Sequence, residues 1–229
     1  MFYLIRMPWW LKKIFPSSLI WRMPPPSLST SPSSAHNDKI LYLTFDDGPH
    51  PVVTPWVLEE LRRYGARGTF FCIGKNVQEY PQIYRQVLLA GHRVGNHTFN
   101  HLNGWKTDDA VYLDNIRQAS QLIDSDLFRP PYGRITRRQS GLLNLLAPGV
   151  RAAPSSPGRF KIIMWDVLSA DFDRRLSGAR CGRNVIRYGR PGSIIVFHDS
   201  EKAFERLRVA LPVVLEHFSR LGYRFEAIF

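Results

Sequence analysis

An α/β fold of parallel βαβ units, closed as a barrel or open as a layered sheet, is predicted by three observations. Short apolar runs alternate with helical patterns from Lys39 to the end of the chain. A length of 229 residues, 44% of them hydrophobic and 13% aromatic, fits one globular domain with a large core. The polar residues able to do chemistry follow directly on strand-like runs, at the ends where α/β folds keep their sites.

Taken in order, residues 40–45 read as a strand, and 54–64 follow as a helix with Val57, Leu58 and Leu61 at helical spacing. Residues 69–73 form a second strand, and 80–90 a helix carrying Ile83, Val87 and Leu88. Residues 109–123 read as a helix with Val111, Ile116, Ala119 and Ile123 as its apolar stripe. Residues 161–167 and 193–197 are strand-like, with a helix between them from about 177 to 188. A long amphipathic helix over 203–221 turns Leu207, Leu211, Val214 and Leu215 inward, and 223–228 makes a last strand. Residues 149–158, with two prolines and two serines, read as a surface insertion.

The expected organisation is an N-terminal basic and aromatic segment (1–23), a Pro/Ser-rich linker (24–38) and one domain (39–229). The apolar stretches of the first segment are broken by Arg6, Pro8, Lys12, Lys13 and Pro16, so neither an export signal nor a membrane span is recognised. The expected location is therefore the cytoplasm or the inner face of the membrane. Trp9, Trp10, Leu11, Ile14 and Phe15, with Lys12 and Lys13, suit two placements: a membrane interface, as a peripheral contact through residues 1–22, or the outside of the domain.

A formal charge of +12 implies attraction to something anionic. The basic residues are spread along the chain and no nucleic-acid-binding module is recognisable, so a basic, well-solvated surface is expected and nucleic acid is not a predicted partner. Two cysteines exclude a disulfide framework, and Cys72 sits in an apolar run as a small buried hydrophobe.

Four motifs carry chemistry. Asp46 and Asp47 are adjacent where a strand ends at Gly48-Pro49. Neighbouring strand residues face opposite sides, so the two carboxylates cannot do the same job, although Asp before Gly alone is ordinary turn chemistry. His97 and His101 stand four apart; on a helix they would share one face and, with one Asp, offer two imidazoles and a carboxylate to a divalent metal. Arg129, before Pro130-Pro131-Tyr132-Gly133, has a rigid backbone that aims its guanidinium at a carboxylate, and the Tyr132 N–H could point at a substrate oxygen. The strand 193–197 delivers His198 to its C-terminal end, where Asp171 could hold the ring protonated as a general acid.

In this order the motifs resemble the polysaccharide deacetylase family, the NodB-homology domain of carbohydrate esterase family 4, over about residues 39–228. The resemblance implies an irregular (β/α) barrel of about seven strands that hydrolyses N-acetyl groups from amino sugars. It implies Asp46 as general base, oriented by Arg129, with Asp47, His97 and His101 holding a divalent ion, commonly zinc, with cobalt, manganese or nickel also suitable. It implies His198 as general acid tuned by Asp171, and the Tyr132 N–H in an oxyanion hole. Pro131, Trp165, Phe172 and Val196 would line the substrate site, Val196 standing for the usual Leu of a methyl pocket. Phe172 departs from the usual Asp-Trp pair and loses an indole N–H. An inactive carbohydrate- or partner-binding barrel is the rival from another class. A non-haem iron oxygenase shares the metal set but calls for neither the second Asp nor the remote His-Asp pair.

Overall fold

The computed structural model describes residues 3–24, 39–143 and 160–229. Most of the expected linker, from residue 25, and the expected insertion at 149–158 lie outside the described residues. The strands are β1 (Leu19–Ile20), β2 (Ile40–Asp46), β3 (Thr69–Cys72), β4 (Arg93–Asn96), β5 (Leu127–Phe128), β6 (Lys161–Ile163), β7 (Val167–Leu168), β8 (Ile194–His198) and β9 (Arg224–Phe225). The helices are α1 (Trp9–Lys12), α2 (Val53–Arg63), α3 (Gly74–Glu79), α4 (Pro81–Leu89), α5 (Asp109–Ser120), α6 (Arg137–Leu143), α7 (Gly178–Tyr188) and α8 (Glu201–Arg220).

Every side chain of β2 is buried, as a parallel strand covered on both faces requires. Alternation sends Leu41, Leu43 and Phe45 outward to pack with Val57, Leu61, Leu211 and Val214 of the surrounding helices. It sends Ile40 and Tyr42 inward, against Phe71, Leu127, Ile163 and Ile194. Thr44 and Asp46 continue that inward row, so the acidic end of β2 lies on top of an apolar lumen.

All paired strands are parallel, in the order β1-β6-β5-β4-β3-β2-β8-β7, with β9 added to β2. The result is an α/β curled sheet, the irregular barrel that the sequence implied. Its two edges are β7 and β1. The expected single strand over 161–167 is broken there: β6 pairs with β5 and β1, whereas β7 pairs with β8. Met164-Trp165-Asp166 carries the chain across the gap, and the Ile163 and Met164 carbonyls turn to accept from Arg129. The last expected strand shrinks to Arg224–Phe225.

Of the two placements for the N-terminal segment, packing onto the domain is what residues 3–24 adopt. Arg6 bridges to Val167 in antiparallel sense, β1 extends β6, and Leu19, Trp21 and Met23 are buried in the cores. Lys12 pairs with the buried Asp166 at 2.8 Å. Trp9, 71% exposed, Trp10 and Ile14 remain at the surface. No helix among the described residues is long and apolar enough to cross a membrane.

Candidate active site

Strand register assembles the site. Asp46 lies directly across from His198, and Thr44 from Val196, on the paired strands β2 and β8. On the other side, Cys72 of β3 is opposite Asn96 of β4, and Asn96 is opposite Phe128 of β5. The residues that follow these positions, His97 and Arg129, thus emerge at the same rim as Asp46, at the carboxyl ends of parallel strands.

Arg129 is fully buried and every hydrogen bond it makes is directed. Its Nη1 donates to Asp46 Oδ1 at 2.6 Å and Thr44 Oγ1 at 2.7 Å; Nε and Nη2 donate to the Ile163 and Met164 carbonyls. The Phe71 ring lies 4.1 Å beneath the guanidinium. Burial pulls the guanidinium pKa down, against the opposing attraction of Asp46. Asp46 is held through one oxygen, and its other oxygen accepts no hydrogen bond among the described residues.

Asp47, His97 and His101 present one ligand atom each, all within 4.8 Å of one another. The Asp47 Oδ1 is buried without a hydrogen-bond partner, 3.2 Å from His101 Nε2 and 3.7 Å from His97 Nε2. His97 Nδ1 lies 2.8 Å from the Arg129 carbonyl, which accepts its proton and leaves Nε2 with the free lone pair. Burial lowers the His97 pKa to about 4, so the ring is neutral, as a ligand must be. Burial opposes the charge on Asp47, but the imidazoles of His101, His198 and His97 outweigh it and hold the carboxyl well below its ordinary range. An orphaned carboxylate oxygen between two such nitrogens fits a divalent cation.

His97–His101 is not the helix that would have put both rings on one face. Thr98 and His101 take left-handed φ of 63° and 58°, which an α-helix forbids. The loop is held instead by amides: Asn96 Oδ1 accepts from the Thr98 N–H, and the buried Asn115 Oδ1 of α5 accepts from both Phe99 and Asn100. Asn76 donates to the Asp47 carbonyl at 2.7 Å.

His198 Nδ1 donates to Asp171 Oδ1 at 2.7 Å, and its backbone N–H to Oδ2 at 2.8 Å. Burial alone would discharge the ring; the Asp171 charge and hydrogen bond overcome it and raise the pKa to about 9. Phe172 stands edge-on to this ring. Val196 is buried on the same strand, two residues before His198. Pro131 is buried, Tyr132 is half exposed with its ring edge-on to His101, and its N–H donates to no described residue. Trp165 packs on Gly133, where a φ of 68° and the absence of a Cβ are both needed, and its buried Nε1 has no partner.

All the residues singled out in the sequence thus lie along one rim. Sequence reasoning missed Thr44, Asn96, Asn115 and Asp199. Asp199 is fully buried, takes the Thr54 hydroxyl at 2.6 Å and leaves Oδ1 unpartnered. Burial, against the Thr54 bond and with the nearby Asp47 and Asp46 charges, pushes its pKa up to about 7. A Cβ on Gly48 would overlap its carboxylate, so the Asp-Asp-Gly sequence owes its glycine to Asp199. Among the described residues five non-glycine residues adopt positive φ, namely Asp47, Thr98, His101, Tyr132 and Ala170, and each is a site residue or the neighbour of one. Strain held at one place by its surroundings is a signature of a functional site.

The family model described as polysaccharide deacetylase matches residues 33–146. A peptidoglycan-N-acetylglucosamine deacetylase of Bacillus cereus is 33% identical over 199 residues, 84% of this chain and 88% of that protein. The chain belongs to the polysaccharide deacetylase family. Its Bacillus cereus relative is a deacetylase, a hydrolase of carbon–nitrogen bonds other than peptide bonds. A chitooligosaccharide deacetylase of Azorhizobium caulinodans is 36% identical over 171 residues, 71% of this chain and 75% of that one. The crystal structure of the Bc1960 peptidoglycan N-acetylglucosamine deacetylase superposes with a TM-score of 0.78 at 25% identity, covering 97% of this chain and 95% of that chain. This polysaccharide deacetylase keeps the family's curled parallel sheet, with the candidate site at its carboxyl rim.

Proposed function

We propose that this chain removes N-acetyl groups from an amino sugar within a polysaccharide, oligosaccharide or glycoconjugate, with one divalent ion, zinc first among the candidates, held by Asp47, His97 and His101. The observation that carries this reading is the opposition of Asp46 and His198 across paired strands, one fixed by a buried Arg, the other charged by a buried Asp. A divalent ion bound there supplies polarisation of the acetamide carbonyl and a lowered pKa for an attacking water.

The remaining steps fall to the chain's own groups. Asp46, held by Arg129 through one oxygen, takes the water's proton on the other. The unpartnered Tyr132 N–H meets the oxyanion as it forms, a contribution of about 3–4 kcal/mol. His198, protonated at neutral pH, gives its proton to the sugar nitrogen as the C–N bond breaks, leaving acetate and a free amine. Val196, Pro131, Phe172 and Trp165 keep the acetyl group and the imidazole away from bulk water.

Peptidoglycan and chitooligosaccharides, named for the relatives, are the leading substrates. Exposed Trp9, Trp10 and Ile14, with Lys13 over the Trp9 ring, support a lipid-linked glycan as a further form. Acetate release from N-acetylglucosamine, chitooligosaccharides, peptidoglycan and lipid-linked sugars, before and after chelation and zinc add-back, tests the reading. Metal-dependent acetate release from at least one of them is expected. Metal bound with no acetate from any would leave the binding-module reading in its place.

A further inference from the structure

The N-terminal residues run antiparallel along the edge strand β7. The Leu168 N–H donates to the Ile5 carbonyl at 2.8 Å and the Met7 N–H to the Asp166 carbonyl at 3.3 Å, with Arg6 bridged to Val167 between them. This direction carries Tyr3 past the carboxyl end of β7, to the rim where Asp171 and His198 lie. There the Tyr3 hydroxyl donates to Asp173 Oδ2 at 2.6 Å, a carboxylate that Arg175 grips at 2.8 Å and 3.0 Å. The Tyr3 ring meets Phe172 edge-on, centroids 5.1 Å apart at 71°, and Phe172 meets His198 edge-on at 5.3 Å and 77°.

Three consecutive residues are therefore fixed in turn from opposite sides. Asp171 is bound to His198, Asp173 is bound to Tyr3, and Phe172 between them is partly buried, with one aromatic ring on each side. Its only aromatic neighbour besides the imidazole, among the described residues, is Tyr3. Burial and the Asp173 carboxylate push the Tyr3 phenol up to about 12, so the hydroxyl keeps the proton it donates.

We propose that Tyr3 is a positioning residue for the deacetylation: it holds Phe172 as a wall against His198, which makes the N-terminal strap part of the site. The proposal rests on the reading of His198 as general acid. An edge-on aromatic pair is a contact of moderate strength. Without it Phe172 turns away, the imidazole gains a mobile, wetter wall, and proton delivery slows while sugar contacts elsewhere persist.

Two readouts test this, the steady-state constants and the ring-proton resonances of His198, which feel the current of the Phe172 ring. Tyr3→Ala is expected to lower kcat about three- to tenfold with KM nearly unchanged, and to move the His198 resonances toward those of Phe172→Ala. Tyr3→Phe, which keeps the ring and loses the Asp173 bond, is expected to recover most of both, and Tyr3→Leu, which lacks the ring but keeps apolar bulk, stands in for the Ala variant where that fails to fold. In the Phe172→Ala background, Tyr3→Ala is expected to add nothing. Unmoved His198 resonances in the ring-less Tyr3 variant, or a full additive loss in the double variant, would overturn the proposal. If the wild-type protein releases no acetate from any glycan, the deacetylase reading fails on its own, and the resonances still report whether Tyr3 governs Phe172.

Discussion

Arg129 makes all its bonds inside the protein, and that governs how its neighbours behave. A guanidinium with no access to water is tolerated only because Asp46, Thr44 and two carbonyls satisfy it. Asp46 is thereby fixed in position. His198 is the converse case, an imidazole charged by a buried carboxylate. Its folded pKa of about 9 lies above the ordinary 6.5, so the folded state binds this proton more tightly than the unfolded one. Its contribution to stability is complete below about pH 6.5 and is lost as pH rises through about 9. Deacetylation follows the same proton, so kcat is expected to hold across neutral pH and fall on an alkaline limb near pH 9. Asp171→Asn removes the charge but keeps a hydrogen-bonding side chain. Its pH–rate profile is expected to show that limb displaced toward or below 6.5, the value of an unassisted imidazole; an unmoved limb would separate it from His198.

Among the elements, the loop from His97 to His101 shows where local sequence stops being informative. The two-His spacing pointed to a strand end, where β4 closes at Asn96 and Asp47 joins the two imidazoles. On a helix that spacing would have put both rings on one face. The actual loop takes left-handed backbone at Thr98 and His101, which non-glycine residues seldom adopt, so no propensity announces it. What stabilises it is Asn115, fourteen residues beyond His101 on the buried face of α5, where a periodicity reading assigns only apolar residues. Asn115→Ala leaves two backbone N–H groups without their acceptor, at a cost of about 1–3 kcal/mol each where they stay buried. Calorimetric zinc titration is expected to show affinity weakened by about ten- to a hundredfold, with the fold retained by circular dichroism. The break between β6 and β7 escaped notice for a related reason. Residues 162–165 are apolar enough to read on into Val167 as one strand, but β6 and β7 take different partners, and the carbonyls of Ile163 and Met164 between them turn to Arg129.

For the whole molecule, the long elements were readable because each carries its own signal: β2, β3, β8, α2, α4, α5, α7 and α8 all lie where an apolar run or a helical pattern put them. Two-residue strands such as β1, β5, β7 and β9 have no period, and pairing alone defines them. The N-terminal segment belongs with these. Its aromatic composition fitted a membrane or a protein surface equally, and the open edges at β7 and β6 gave residues 3–24 a place. The site was legible as motifs but not as geometry, because Asp46 and His198 meet only through the β2–β8 register. Division of labour between Asp46 and its neighbour is the centre of the account, and the paired variants Asp46→Asn and Asp47→Asn address it directly, each measured for bound metal and acetate release. Asp46→Asn is expected to retain one equivalent of metal while kcat falls by about 10²–10⁴; Asp47→Asn is expected to lose the metal itself. Wild-type acetate release by Asp46→Asn, or metal lost from it and kept by Asp47→Asn, would contradict the assignment.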